Sequence, residues 1–596
     1  MCRRSGGSVC GTLIFTLFSG MMLAGAMGTA QAQELPAMIT TLIEQLAEQG
    51  CDAEALILHY EGLLAQPLNL NAATRRELEA SGLLTLFQQE SLLAWRERYG
   101  AIRSAAELAL VDGFPPEVVA ELRPFVQFGE AAPVRRFSNT TTFRGRNKWR
   151  EKGMSITAKH SFEAPQLTLH AVLDNDPQEH FPDFISLSGQ WKGFYAGDFT
   201  ARFGQGLVVW KSFSLSTFGT PSSAARRDKG LQPYRSTDES NFFRGAGWTG
   251  SFGHWRVSAF ASRNALDARI VDSSYTSIAT DGLHVTETER VRRHALHEYV
   301  LGANVAYERD RWHVGLTGAA YRYDKHNGRR VQDYNRYQQY DGWWGNLGVD
   351  WYGTLGSLRL FGEVAVDAHL APAAIAGVLW SPSYNFETSF TARCYAPAYI
   401  ATHAGAYSTL SSVSNQIGGT GSARWIHGPW TLQGDLEYVY YPWKRYRAEA
   451  GTQQLKGRVL LSYSFRQGAV LLSQLSYGST WKARVQADVP LGTAWQLAAR
   501  ADANLHGFAA YAGVRWQPSK RWSLAARLTV WYTEDWASRI CFYEQNVPQS
   551  FAVESYYGKG IGAYFLVKYA PIRYVDLYLK VQQGYVSYFV RIFIPG

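Results

Sequence analysis

The chain has 596 residues, a formal net charge of +9, 18% charged and 14% aromatic residues, 55 Gly and 5 Cys. The aromatic content excludes a disordered chain, and the Cys count excludes a disulfide scaffold. Mean hydropathy is −0.22, and beyond the extreme N-terminus no apolar run approaches the roughly 18 residues of a transmembrane helix, which excludes a helical membrane bundle. A large aromatic- and glycine-rich β-protein that can meet lipid remains.

The N-terminus has the pattern of an export signal over residues 1–32. Arg3 and Arg4 form a positive start, Leu13 to Ala26 an apolar core, and Ala30-Gln31-Ala32 a small-x-small cleavage site, so the mature chain is expected to begin at Gln33. Cys10 precedes the apolar core, the wrong side for lipidation. Cys51, Cys394 and Cys541 stand far apart with no C-x-x-C, which leaves room for a single structural disulfide, and neither a redox site nor a zinc centre is expected.

Residues 33–129 carry a helical pattern. Ile39, Leu42, Ile43 and Leu46 recur at the spacing of one buried helix face. Asn71 is the expected N-cap of a helix through Leu78, and Ser104-Ala105-Ala106-Glu107 is a capping box. Residues 34–129 hold 14 acids and six bases, while 130–596 hold 51 bases and 36 acids. An acidic front therefore precedes a basic remainder.

From about residue 136 the hydrophobic period drops from 3.6 to 2. Trp522, Leu524, Ala526, Leu528, Val530 and Tyr532 alternate with Ser523, Ala525, Arg527, Thr529 and Trp531. Leu455–Arg466, Trp495–His506 and Leu358–Asp367 repeat the device. Segments of about ten residues with aromatic ends and short turns predict a large transmembrane antiparallel β-barrel in residues 130–596. At roughly 20 residues per strand with its loop, this gives about 22–24 strands. The C-terminal alternation of Val586, Tyr588, Val590, Ile592 and Ile594 suits closure. The alternative, a soluble β-sandwich, uses shorter strands. Lys211–Ser240 and Asn264–Glu298 are long irregular stretches, either of which could fold inward as a constriction.

Leu68-Asn69-Leu70-Asn71-Ala72-Ala73-Thr74, Leu93-Ala94-Trp95-Arg96-Glu97-Arg98-Tyr99-Gly100 and Ile102-Arg103-Ser104-Ala105-Ala106-Glu107-Leu108 resemble the tandem helix-hairpin-helix module of competence-type DNA receptors. That resemblance implies glycine turns whose amides approach a DNA phosphate, at Gly82 and Gly113. This chain departs from the pattern at both. Ser81-Gly82-Leu83-Leu84-Thr85 lacks the second glycine, and Asp112-Gly113-Phe114-Pro115-Pro116 removes amide donors. The acidic balance also repels a polyanion. Nucleic acid is thus a disfavoured partner, and a folding, plugging or docking role is the alternative. Phe203-Gly204-Gln205-Gly206-Leu207-Val208-Val209-Trp210, Gly230-Leu231-Gln232-Pro233-Tyr234 and Asn241-Phe242-Phe243-Arg244-Gly245 resemble outer-membrane barrels of Bacteroidota-like bacteria that carry such a domain in front.

No Walker A run, H-E-x-x-H or G-x-S-x-G occurs, so no catalytic residues, metal or cofactor are expected. His294-Ala295-Leu296-His297-Glu298 has metal-like spacing without a third partner in view, and a polar turn is the plainer reading. The strongest functional signal is the polar phase of the strands. Arg359, Lys456, Arg458, Arg500, Arg527, Lys580 and Arg591 are the candidate lumen cations, and rings of Arg and Lys favour anions. The alternative is cross-strand pairing with Asp367, Asp435, Glu437, Asp502 and Asp576. The expectation is an outer-membrane channel or transporter for anionic solutes, plugged or gated by its periplasmic helical domain. Outer-membrane lipid and a periplasmic protein are its expected partners. DNA uptake and a structural or surface-binding role are the alternatives.

Overall fold

The computed structural model describes residues 59–60, 62–64, 66–129, 137–149, 151–211, 219–226, 228–550 and 552–595. The signal reading at 1–32, the Ile39–Leu46 pattern and Cys51 lie outside the described residues.

From Ser138 onward the period-2 segments are strands that pair in order round a ring. The last, Tyr585–Pro595, runs antiparallel to the first, Ser138–Lys148, from Ser138↔Pro595 to Lys148↔Tyr585. The result is a closed antiparallel barrel of 24 strands. Closure gives every strand two neighbours, so no row of backbone donors and acceptors faces the surroundings unpaired.

The alternation sorts residues between the two sides of the wall. In Trp522–Thr533, Ser523, Ala525, Arg527 and Thr529 are buried inside, whereas Leu528, Val530 and Tyr532 face outward. In Leu358–Asp367, Arg359, Glu363 and Asp367 are buried and Leu360 and Val364 are exposed. Trp255, Trp312, Trp430, Trp495 and Trp522 open strands at one end and remain exposed, and Tyr477, Trp481 and Tyr532 stand exposed at the other. So much contiguous apolar surface is unstable in water. Between two aromatic rims on an edgeless barrel, it is the surface of a protein that stands in lipid.

The barrel's two ends differ. At the Trp-rimmed end strands are joined by tight turns such as Gly253-His254 and Gly356-Ser357, and both ends of the barrel chain emerge there. Gly253 and Gly356 take φ of 61° and 56°, the positive φ that two-residue hairpins require. Longer connections at the opposite end include 267–295, 324–343, 396–415 and 534–558.

The helical module holds α1 (Arg75–Ser81), α2 (Leu86–Tyr99), α3 (Ala105–Leu108) and α4 (Pro116–Leu122). Thr74 with Glu77 and Thr85 with Gln88 form capping boxes that start α1 and α2. Ser104 caps α3 as expected, its hydroxyl accepting from Glu107 N at 3.2 Å. Asn71 is not the cap of α1. It donates to the Ile102 and Gly129 carbonyls (2.8 and 3.1 Å) and accepts from Ile102 N, joining the two helical hairpins. Thr74 takes the cap because it lies three residues before Glu77, which completes the box. Leu78, Leu92, Ile102, Leu108, Phe114 and Phe125 form the module's core, and Tyr543 from the barrel is packed into it.

Candidate functional site: the occluded lumen

Three barrel segments fold into the lumen and the helical module meets them there. The first comprises the described residues of 203–242. Its Phe203-Gly204-Gln205-Gly206 turn is seated on the inner wall, where Glu363 Oε2 accepts from Gln205 N and Leu207 N at 2.6 and 3.1 Å. Gly204 has φ of 57°, and a Cβ there would come within 2.8 Å of Glu363 Oε2. Leu207, Val208 and Val209 then enter a dry core with Phe199, Phe243, Phe260, Tyr395 and Tyr399. This inward fold fulfils the expectation for Lys211–Ser240 over its described part. Gly230–Pro233 pairs with the end of Phe194–Arg202, which has peeled away from its neighbour in the wall.

The second segment, 396–415, closes over the first. Tyr399 OH donates to Leu207 O at 2.8 Å, and Trp210 N donates to His403 O at 2.7 Å. The third is the hairpin Ile540–Glu544 and Ala552–Tyr556. It descends from the long-loop end until Tyr543 reaches the module core and Val547 packs among Ala525, Leu566 and Phe589. The sequence did not single out these last two segments. The other suspected constriction, Asn264–Glu298, stays at the long-loop end, where Ala268–Val271 pairs with Ser274–Ile278.

A chain of charges ties the module to the wall and to the first infolded segment. Arg76 of α1 donates to Glu308 at 2.9 and 3.0 Å. Glu308 also accepts from Arg256 Nε at 3.0 Å, and Arg256 Nη2 donates to Asp228 at 2.5 Å. His313 adds a 2.7 Å contact to Asp350 beside them. A second tie joins Glu79 of α1 to Arg359. These groups border a polar cavity of about 70 Å³ between module and barrel.

The seven candidate lumen cations all lie on the inner face, and the structure engages each one. Arg359 meets Glu79, Lys456 meets Glu437 (3.6 Å), Arg458 meets Asp435 (2.7 Å) and Arg500 meets Asp502 (2.8 Å). Lys580 meets Glu544 (3.3 Å) and Arg591 meets Asp576 (2.6 Å). Arg527 donates to Tyr543 O at 2.7 Å and stacks 3.8 Å from the Tyr511 ring centroid. The ring of cations expected to favour anions is therefore, as the chain stands here, a set of pairs. Asp367 departs from that scheme and accepts instead from the backbone of His369, Ala371 and Ile400.

The two candidate phosphate hairpins are tight turns of the module. Gly82 has φ of 69° and ends α1, its N–H donating to Glu79 O at 3.2 Å. Gly113 has φ of 89°, its carbonyl accepts from Gln88 Nε2 at 2.8 Å, and Phe87 lies against it. The turn after Gly82 buries Leu84 and Leu86, both of which border the cavity shared with the barrel.

At the long-loop end, the residues of the His294–Glu298 motif diverge. Glu298 is buried inside, while the His294 and His297 amides bond Asp267 and Asp324. The histidine that gathers carboxylates is His284, which the sequence did not mark. Its Nδ1 lies 2.6 Å from Asp183 and its Nε2 2.6 Å from Asp267. Glu179, Asp183 and His284 bring ligand atoms close enough together to hold an ion. Burial lowers the pKa of His284, but the hydrogen bonds to Asp183 and Asp267 outweigh it and hold the imidazole above its ordinary value. Burial, reinforced by Asp183, pushes neighbouring Glu239 up to about 8. Such a cluster is visible only in space, because its members come from separate loops.

No family model matches the chain, and no curated protein matches it. Among solved structures it is similar to the translocation pore of the P pilus usher PapC, at 9% identity and a TM-score of 0.33, over 77% of this chain and 99% of that one. It is also similar to the copper transporter OprC (8%, TM-score 0.37, 79% and 82% covered). A third is the siderophore receptor PirA from Acinetobacter baumannii (8%, TM-score 0.38, 78% and 81% covered). At these values the likenesses add no argument to what strand pairing and closure already establish.

Proposed function

We propose that the protein is a gated outer-membrane channel or transporter held in its closed form, with the helical module as the plug on the periplasmic side. The observation that carries this reading is the run Arg76–Glu308–Arg256–Asp228, which links module, wall and infolded segment through charges that can exchange partners. A purely structural barrel has no need of a filled lumen joined by ion pairs to a separate helical unit. Opening requires α1 to leave Glu308 and Arg359, which frees the infolded segments from their anchor.

The module's side of the membrane follows from the chain ends. Both ends of the barrel chain lie at the tight-turn end, the end that faces the periplasm in bacterial barrels. A periplasmic protein that binds the module is the natural trigger. Nucleic-acid capture at Gly82 and Gly113 is disfavoured by the acidic balance of the module. Planar-bilayer recording of the full chain and of a variant lacking 34–129 tests the proposal. The full chain is expected to be closed or rarely open, and the deletion to conduct. Silence from both would sink it.

A further inference from the structure

On the outer wall at the long-loop end, the aromatic rim changes character over one sector. Tyr477, Trp481, Phe508 and Tyr532 stand exposed along other parts of that rim. Across adjacent strands Trp255–Leu266, Leu296–Arg309 and Trp312–Tyr323, however, the register runs Arg263↔Tyr299↔Arg322. These residues fall on the outward phase, because Ser262, Asn264, Glu298, Val300 and Tyr321 beside them are buried inside. Trp343, the residue just before the next strand Trp344–Leu355, stands beside the row, 52% exposed.

The two guanidinium groups flank one ring. Arg263 lies 5.9 Å and Arg322 5.3 Å from the Tyr299 centroid, and Arg322 also lies 5.3 Å from that of Trp343. Both arginines are exposed, and among the described residues neither has a carboxylate partner. The lumen arginines Arg359, Arg458, Arg500 and Arg591 of the same barrel are treated differently, each meeting an acid. Arg244, one strand further round, is also matched, through Asp198 at 2.7 and 2.8 Å. Aromatic stacking fixes the orientation of an arginine without neutralising it. Two such cations at the level where hydrocarbon gives way to headgroups are complementary to an anionic headgroup and leave its acyl chains against the apolar band below.

Resting on the reading that the barrel stands in a membrane, we propose that Arg263, Tyr299, Arg322 and Trp343 form a docking site for a phosphate-bearing lipid headgroup. The bidentate fork of each arginine suits phosphate oxygens, and Tyr299 spaces the forks. The acyl chains would lie along Leu301, Val314 and Leu316, all exposed on the same face.

The test uses the full chain in detergent, incubated with bisphosphorylated lipid A or its dephosphorylated form, then passed through a sizing column. Lipid retained per protein is read by mass spectrometry. The wild type is expected to retain the phosphorylated form selectively. The Arg263→Gln/Arg322→Gln variant should retain roughly 30-fold less, on the usual contribution of an arginine at an anionic surface. Lys559→Gln, elsewhere on the barrel, should leave retention unchanged. Equal retention of both lipids, or wild-type retention by the double variant, overturns the proposal. Alkaline extraction of membranes separates the two levels of inference. A barrel released by alkali contradicts the membrane reading itself, whereas an embedded barrel without lipid selectivity contradicts only this site.

Discussion

At the scale of residues, the interior is governed by the cost of leaving a charge buried alone. Arg458 and Asp435 are 5% and 0% exposed at their side chains and meet at 2.7 Å. Asp435→Ala removes the carboxylate that balances the buried guanidinium and is expected to cost about 3–5 kcal/mol, read from urea unfolding of the barrel in micelles. A change below about 1 kcal/mol, the level of a solvated pair, would show that water reaches this part of the lumen. His284 supplies the complementary case outside the membrane. Its pKa is raised in the folded state, so its contribution is fully present below the unfolded value of about 6.5 and is lost as pH rises through the folded value. Hydrogen exchange in 267–295 should therefore speed up beyond its intrinsic pH trend as pH rises above about 6.5, and His284→Asn should remove that excess. Excess protection that grows with pH would contradict the clasp.

At the scale of elements, the helices and strands follow local rules, and their destinations do not. Thr74 and Thr85 cap helices because each is followed three residues later by a side chain that completes the cap, whereas Ser104 caps through its hydroxyl alone, Glu107 turning to Arg103 N. The Ser104 cap and the alternation of Trp522–Thr533 are legible in sequence, whereas at α1 the sequence points to Asn71 and Thr74 takes the cap. The hairpin Ile540–Glu544 and Ala552–Tyr556 gives no such sign. Its residues are apolar, aromatic and acidic in a mixture equally suited to an exposed loop. Only the barrel supplies what decides its place: Lys580 for Glu544, Arg527 for the Tyr543 carbonyl, and the module's core for the Tyr543 ring. Tyr543→Ala is expected to cost about 3–5 kcal/mol at the contact, the range for loss of a large aromatic core side chain. Exchange in 66–129 should then accelerate while the barrel strands keep their protection. Unchanged exchange in the module would mean the hairpin is not its anchor.

For the whole molecule, the acidic front and the basic remainder meet inside the lumen through ion pairs of both senses. Glu79 neutralises Arg359 there, while Arg76 crosses in the opposite sense to Glu308. The cations on the polar phase of the strands and the basic total suggested an anion-selective pore, yet neither records which cation stands beside which acid. In bilayer recordings under a salt gradient, the variant lacking 34–129 should thus discriminate weakly between chloride and potassium, apart from the bias left by Arg359 once Glu79 is gone. Strong anion selectivity would show that the remaining pairs separate on opening.

By itself the sequence determined the barrel, the separate helical unit and the side of the wall each strand residue faces. These depend on periodicity and capping, which act between residues two to four positions apart. Tertiary structure alone decided that the lumen is filled, that its cations are paired and that α1 is latched to the wall. Arg76 and Glu308 are 232 residues apart, and Arg359 and Glu79 are 280 apart. Contacts at such separation exist only once the ring has closed, and no local pattern can announce them.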